Sequence, residues 1–204
     1  LKLHVGCGEA RLPGYVNVDV RLTSAVDVTL DLNRFDTFDG EVDVLFGNAF
    51  FEHLYRDRRL VHLRGAYRAL RPGGVLCYLG LPNFPVIART YLDAGPGTMG
   101  PRFDLYHVYR YTHGDPEQAR GWYLEQIHKS LFDQEEVETL LRESGFESFA
   151  IFEYAYPSDA HPVPVNLGFF AVKEESKDRI EIRCRSFLAE FPDRVALQTL
   201  RFLP

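Results

Sequence analysis

No stretch of this chain approaches the run of about 18 apolar residues that a membrane-spanning helix needs, so no membrane span is expected. Positive charge is also short. Lysine and arginine total 23 against 29 aspartates and glutamates, a net charge of −6, which is the wrong sign for a nucleic-acid footprint, although a local basic patch stays open. Cysteine is scarce: Cys7, Cys77 and Cys184 are odd in number and far apart. That argues against a disulfide framework and suits a reducing, cytoplasmic setting. There is no Cys-x-x-Cys and no His-Glu-x-x-His, so ready-made metal-ligand spacing is missing. His107 and His113 come nearest, and exposed loop histidines are the competing reading. No signal peptide, internal repeat or low-complexity tract is visible, and the chain does not begin with methionine. A chain of 204 residues is one domain with room for a full core.

What is present begins at once. Leu-Lys-Leu-His-Val runs into Gly6-Cys7-Gly8, and a second short apolar run ends at Asp19. Glycine lets backbone approach a ligand closely, and an acid at the end of the following strand is placed to grip a ribose diol. A dinucleotide fingerprint would carry a third glycine, where Arg11 stands, and an acid about 20 residues further on. No phosphate-binding Gly-x-x-x-x-Gly-Lys-Ser/Thr occurs. The pattern fits a ligand with a ribose and no pyrophosphate, such as S-adenosylmethionine (SAM). A plain tight strand-to-helix turn is the alternative.

The pattern predicts strands at 1–5, 15–20, 26–30, 42–46, 75–81, 146–156 and 166–173. Only about nine residues separate the first two strands, short for a parallel crossover, so the first connecting helix must be vestigial. A helix is expected over 57–71, with Leu60, Leu63, Tyr67 and Leu70 as its stripe and its arginines on a solvated face, stopped by Pro72-Gly73-Gly74. Residues 83–130 form a loop-rich, aromatic insert that includes Phe84, Tyr91, Tyr106, Trp122 and Tyr123. Asp133 and Glu136 make a capping-box pattern before Val137, Leu140 and Leu141, and Gly145 closes that helix. A charged amphipathic helix spans 175–191, and a ragged tail follows. Strands alternating with helices indicate an open, doubly wound, mostly parallel α/β sheet. In such sheets ligands bind beyond the carboxyl ends of the strands, where Gly6, Asp19, Asp31 and Asn48 fall.

With Val-Gly-Cys-Gly at 5–8, Leu-Pro-Gly-Tyr-Val-Asn-Val-Asp at 12–19 and Asp-Val-Thr-Leu-Asp-Leu at 27–32, the chain resembles the SAM-dependent methyltransferases of the seven-stranded α/β type, in particular the type 11 group. Phe-Phe-Glu-His-Leu at 50–54, Ala-Leu-Arg-Pro-Gly-Gly-Val-Leu at 69–76 and the segment 131–146 carry the likeness further. The resemblance implies a SAM-binding domain over 1–173, with the insert between strands five and six as lid or acceptor region, and a C-terminal helical extension over 174–204. It implies that Gly6, Cys7 and Gly8 line the methionine and ribose part of SAM. Asp19 and Val20 would meet the ribose, Asp31 and Leu32 the adenine, and Asn48 and Ala49 the amino-acid tail or sulfonium. S-adenosylhomocysteine would be the product. Many members carry an acid two residues before the first glycine, where this chain has His4.

Methyl transfer from SAM is an in-line displacement that rests on proximity, alignment and water exclusion. A base is needed only if the acceptor must lose a proton. His53, His107 and His128 are the candidates, each with an ordinary structural histidine as the alternative. The acceptor is expected to be a small molecule, a sugar or other metabolite, and neither a nucleic acid nor a membrane. The insert is expected to contact it, with a cover for the core or a dimerisation arm as rival roles. The C-terminal helix either packs on the core or makes a homodimer contact. Two other functions compete: a non-catalytic SAM- or partner-binding protein on the same fold, and a nicotinamide-dependent oxidoreductase.

Overall fold

The computed structural model describes residues 1–31, 35, 38–93, 103–114, 126–158, 163–174 and 176–204. One eight-stranded sheet is built from β1 (Lys2–Val5), β2 (Val16–Asp19), β3 (Val28–Thr29), β4 (Val42–Asn48), β5 (Leu70–Pro82), β6 (Ser148–Tyr154), β7 (Asn166–Val172) and β8 (Arg201–Phe202). The strand order is β3-β2-β1-β4-β5-β7-β6-β8. The pairs β3-β2, β2-β1, β1-β4 and β4-β5 are parallel, whereas β7 runs against both β5 and β6, and β8 against β6. Among the described residues the α-helices are α1 (Arg56–Ala69), α2 (Phe84–Asp93), α3 (Leu105–His113), α4 (Gln134–Ser144) and α5 (Ile180–Leu188).

Side chains alternate across a strand, and β5 divides two cores by that rule. Leu76 and Tyr78 face a cluster closed by Leu63 and Ala66 of α1 and Val137 and Leu141 of α4. Cys77 and Leu79 face the other cluster, closed by Cys184 and Leu188 of α5 with Phe191, Val195 and Leu200 beyond it. The C-terminal helix thus packs directly on the sheet. Phe191 stacks on Phe46 of β4 at 4.3 Å between ring centroids.

The crossover from β1 to β2 contains no helix at all. Leu12 and Tyr15 lie against the second cluster, over the face that a helix would cover. Asn17 holds this short connection: its side-chain oxygen accepts from the Leu12 N–H at 2.8 Å and its amide donates to the Tyr15 carbonyl at 3.1 Å.

Several expectations change. The sheet has eight strands because the tail supplies Phe202 opposite Phe152. The third strand shrinks to Val28–Thr29. Arg-Pro-Gly-Gly does not merely stop α1. It is the irregular start of β5, where the register against β4 shifts between Val42 and Val44, and the Gly73 N–H donates to the Lys173 carbonyl at 2.8 Å. Arg59 leaves the solvated face predicted for it. It is buried, pairs with Glu136 at 2.9 Å and lies over the Phe132 ring. That pair takes the Glu136 carboxylate, so only half of the predicted capping box forms: Asp133 accepts from the Glu136 N–H at 2.8 Å. The insert is more regular than its composition suggested, with α2 and α3 joined around Ile87, Phe103 and Val165. Trp122 and Tyr123 of the insert lie outside the described residues. The C-terminal helix is shorter than predicted, Ile180–Leu188. Cys7, Cys77 and Cys184 are buried free thiols. Among the described residues no helix is long and apolar enough to cross a membrane.

Candidate functional site

The carboxyl ends of β1, β2 and β4 come together at one rim. Gly6 and Gly8 both adopt positive φ, +63° and +56°, a region that L side chains enter at a cost of about 1–2 kcal/mol. A Cβ on Gly6 would lie 2.4 Å from the Phe50 Cβ, and one on Gly47 would lie 2.5 Å from the same ring. The space spared by Gly6 is therefore taken by Phe50, a packing reason that the sequence did not reveal. At Gly8 the Arg21 guanidinium alone comes near among the described residues, at 3.6 Å.

Asp19 is 5% exposed, and its carboxylate is anchored by backbone. Oδ2 accepts from the Gly8 N–H at 2.8 Å and Oδ1 from the Arg21 N–H at 2.9 Å. Thr23 closes the turn from the other side, its hydroxyl donating to the Gly8 carbonyl at 2.6 Å. The Arg21 guanidinium lies 3.6 Å from Oδ1, and Oδ2 retains a second acceptor site beyond its bond to Gly8, since a carboxylate oxygen carries two lone pairs. Val20, Asp31 and Ala49 stand exposed around the same rim, and Asn48 is half-buried. Asn48 accepts from the Tyr156 hydroxyl at 3.0 Å. Ala49 has φ +52°, an uncommon conformation for a residue with a Cβ. It follows Asn48 directly and turns the chain out of β4. Leu32 lies outside the described residues. Burial pushes the Cys7 thiol up to about 11, so at neutral pH it is an inert thiol beside the turn.

His4, the departure from the family pattern, does not point toward this rim. It is buried, its ring lies 5.6 Å from Phe46, and its Nδ1 donates to the Asn17 side-chain oxygen at 3.0 Å. Burial holds its pKa below the ordinary histidine value, against the opposing pull of Asn17.

Beyond Asn48 the chain enters a short 3-10 turn, Phe51–His53. The end of the insert lies against it: the Lys129 N–H donates to the Glu52 carbonyl at 2.8 Å, and the Ser130 hydroxyl to the Leu54 carbonyl at 2.9 Å. This brings His128 to His53, with ring centroids 5.2 Å apart. Glu52 sits between them, 1% exposed, and burial pushes its carboxyl up to about 8. Burial lowers the pKa of both imidazoles, that of His128 to about 4 with a further contribution from His53. His107 stands apart. It belongs to the N-terminal capping box of α3, with Nδ1 at 2.8 Å from Asp104 Oδ1. Arg21, Thr23, Tyr156 and Phe50 escaped the sequence reading because only the three-dimensional turn brings them to the glycines and to Asn48.

No protein-family model matches the chain, and no curated protein is similar to it in sequence. Solved structures are similar in fold. A SAM-dependent methyltransferase from Thermotoga maritima aligns over 84% of this chain and 81% of its own at 16% identity, with a TM-score of 0.55. One from Archaeoglobus fulgidus aligns over 84% and 85% at 14% identity, also at 0.55. The Burkholderia thailandensis 1,6-didemethyltoxoflavin-N1-methyltransferase, solved with its substrate and S-adenosylhomocysteine, aligns over 85% and 70% at 16% identity and a TM-score of 0.52. At these identities the likeness is one of fold, and the type 11 subgroup rests on the sequence motifs alone. The chain has the fold of the SAM-dependent methyltransferases.

Proposed function

We propose that the protein is a methyltransferase that moves the methyl group of SAM to a small-molecule acceptor. The observation that carries this reading is the Asp19 carboxylate. Backbone N–H groups of the glycine turn and of Arg21 fix it at the carboxyl end of β2, beside the sheet's switch between β1 and β4. In an open α/β sheet that switch is where a nucleoside ligand binds. In this reading Asp19 takes the ribose hydroxyls, and Val20 and Asp31 flank the adenosine. Gly6, Cys7 and Gly8 carry the backbone past the methionine, with Asn48 and Ala49 toward its tail. SAM brings the methyl group and a good leaving group. The chain's own work is to align the donor and to exclude water.

The acceptor side is assigned to the insert. Phe84, Tyr91, Tyr106 and Tyr109 of α2 and α3 are 38–47% exposed, and such rings can stack on planar or sugar faces while tyrosine hydroxyls make hydrogen bonds. His53 follows β4, and His128 near the end of this insert lies against it. His107 is held in a helix cap.

The test is a thermal-shift and calorimetric series with SAM, S-adenosylhomocysteine and NAD. SAM and S-adenosylhomocysteine are expected to stabilise the protein and NAD to leave it unchanged. Stabilisation by NAD alone would sink this reading. Release of S-adenosylhomocysteine in the presence of candidate sugars and metabolites then identifies the acceptor.

A further inference from the structure

The His53 and His128 imidazoles and the Glu52 carboxyl group face one another, yet among the described residues no hydrogen bond links the three. His53 Nδ1 lies 3.1 Å from the Ile127 carbonyl and His128 Nδ1 lies 2.9 Å from the Tyr111 carbonyl. A carbonyl only accepts, so both Nδ1 atoms carry the proton, and in the neutral rings both Nε2 atoms present a lone pair. Those lone pairs converge on Glu52 Oε1, at 3.6 Å from His53 and 3.9 Å from His128. Glu52 Oε2 is buried and has no hydrogen-bond partner among the described residues.

A proton does not resolve the arrangement. At 3.6 Å and beyond, a protonated Glu52 is too far from either ring for a hydrogen bond, which needs about 2.5–3.2 Å between heavy atoms. A cation does resolve it. Tetrahedral ligation at about 2.0–2.1 Å spaces ligand atoms about 3.3 Å apart, and the three ligand atoms here already lie within 4.8 Å of one another. The Nδ1–H···O=C bonds are the outer-shell contacts that fix the tautomer and orientation of ligating histidines.

We propose that Glu52, His53 and His128 form a binding site for one divalent first-row transition ion, of the Zn²⁺ or Fe²⁺ class. Two nitrogens and one oxygen favour such an ion over Mg²⁺ or Ca²⁺, which prefer all-oxygen shells. The His53 and His128 side chains are 17% and 16% exposed, so a coordination position is open to water or to an oxygen or nitrogen ligand from solvent. Residues of two segments make the site. Glu52 and His53 follow β4 and His128 lies near the end of the insert, which is why no sequence spacing announced it.

The experiment uses tag-free full-length protein, stripped with a chelator and titrated with Zn²⁺ against a chromophoric competitor. One equivalent is expected to bind at micromolar concentration or below, with Mg²⁺ at least 100-fold weaker. Co²⁺ in the wild-type protein is expected to give visible d–d bands of a nitrogen- and oxygen-ligated ion, a readout that requires no variant. Glu52→Gln and His128→Ala are expected to lose at least 10-fold in Zn²⁺ affinity, with folding checked by circular dichroism, while His107→Ala keeps it. Substoichiometric or millimolar Zn²⁺ binding by wild type overturns the site. So does unchanged affinity in both ligand variants, and Mg²⁺ binding as tight as Zn²⁺ overturns its assigned class.

Discussion

The Gly8 N–H donates to the Asp19 carboxylate at 2.8 Å, a bond that ties the turn after β1 to the end of β2 across eleven residues. The same carboxylate accepts from the Arg21 N–H. One buried acid therefore shapes the turn and faces the rim where the adenosine is proposed to bind.

Asp19→Ala leaves two N–H groups of the turn without their acceptor, at about 1–3 kcal/mol each. Its thermal midpoint is expected to fall and SAM affinity to drop by about tenfold or more. Asp19→Asn keeps one oxygen acceptor, so it should recover part of the stability yet still bind SAM weakly in calorimetry. Wild-type affinity in Asp19→Asn would remove Asp19 from the ligand site.

Gly6 is constrained by Phe50 as well as by its φ. Gly6→Ala places a Cβ 2.4 Å from the stiff base of the Phe50 side chain. The expected loss is about 2–4 kcal/mol, combining left-handed strain with overpacking. Gly14→Ala is the control: its φ is +80° and none of the described residues lies within 4 Å of the added carbon, so only the conformational cost of about 1–2 kcal/mol should appear. Equal losses in urea denaturation would show that Phe50 yields freely.

Asp27 predicts an acid limb. The Asn17 N–H at 2.9 Å, the Asn17 side-chain amide at 3.0 Å and Arg11 at 2.7 Å hold its pKa down to about 2. The folded-state value lies below the unfolded value of about 3.9. Its contribution is therefore complete above about pH 4 and is lost as pH falls toward 2. Thermal midpoints of wild type and Asp27→Ala should differ at pH 6 and converge only at about pH 2 and below. A constant difference across that range would exclude the linkage.

Phe191 lies beyond α5 yet fills the second core, stacked on Phe46 and 5.2 Å from the Phe187 ring. Phe191→Ala is expected to cost about 3–5 kcal/mol in equilibrium unfolding, as for other buried aromatics cut to alanine. A loss below 1 kcal/mol would make the C-terminal segment a dispensable cover.

Local pattern was enough for much of this molecule. The apolar runs before Gly6 and Asp19, the short first crossover, the Asp133 cap and the Gly145 stop are written in neighbouring residues, because strand alternation, helix caps and tight turns depend on contacts a few positions apart. The parallel α/β sheet followed from the alternation of those elements. Long-range partners were decided only in three dimensions. Arg59 reads as one more solvated arginine of α1 until Glu136 comes from α4 to meet it, and Phe202 reads as tail until it pairs with Phe152. His4 stood where an acid was expected, and only the packing showed it turned away to Asn17 and Phe46. Glu52 and His53 were visible as a pair. That His128, 75 positions from His53, completes a convergent set of ligand atoms around Glu52 is a property of the fold, because chain separation carries no information about which lone pairs finally face each other.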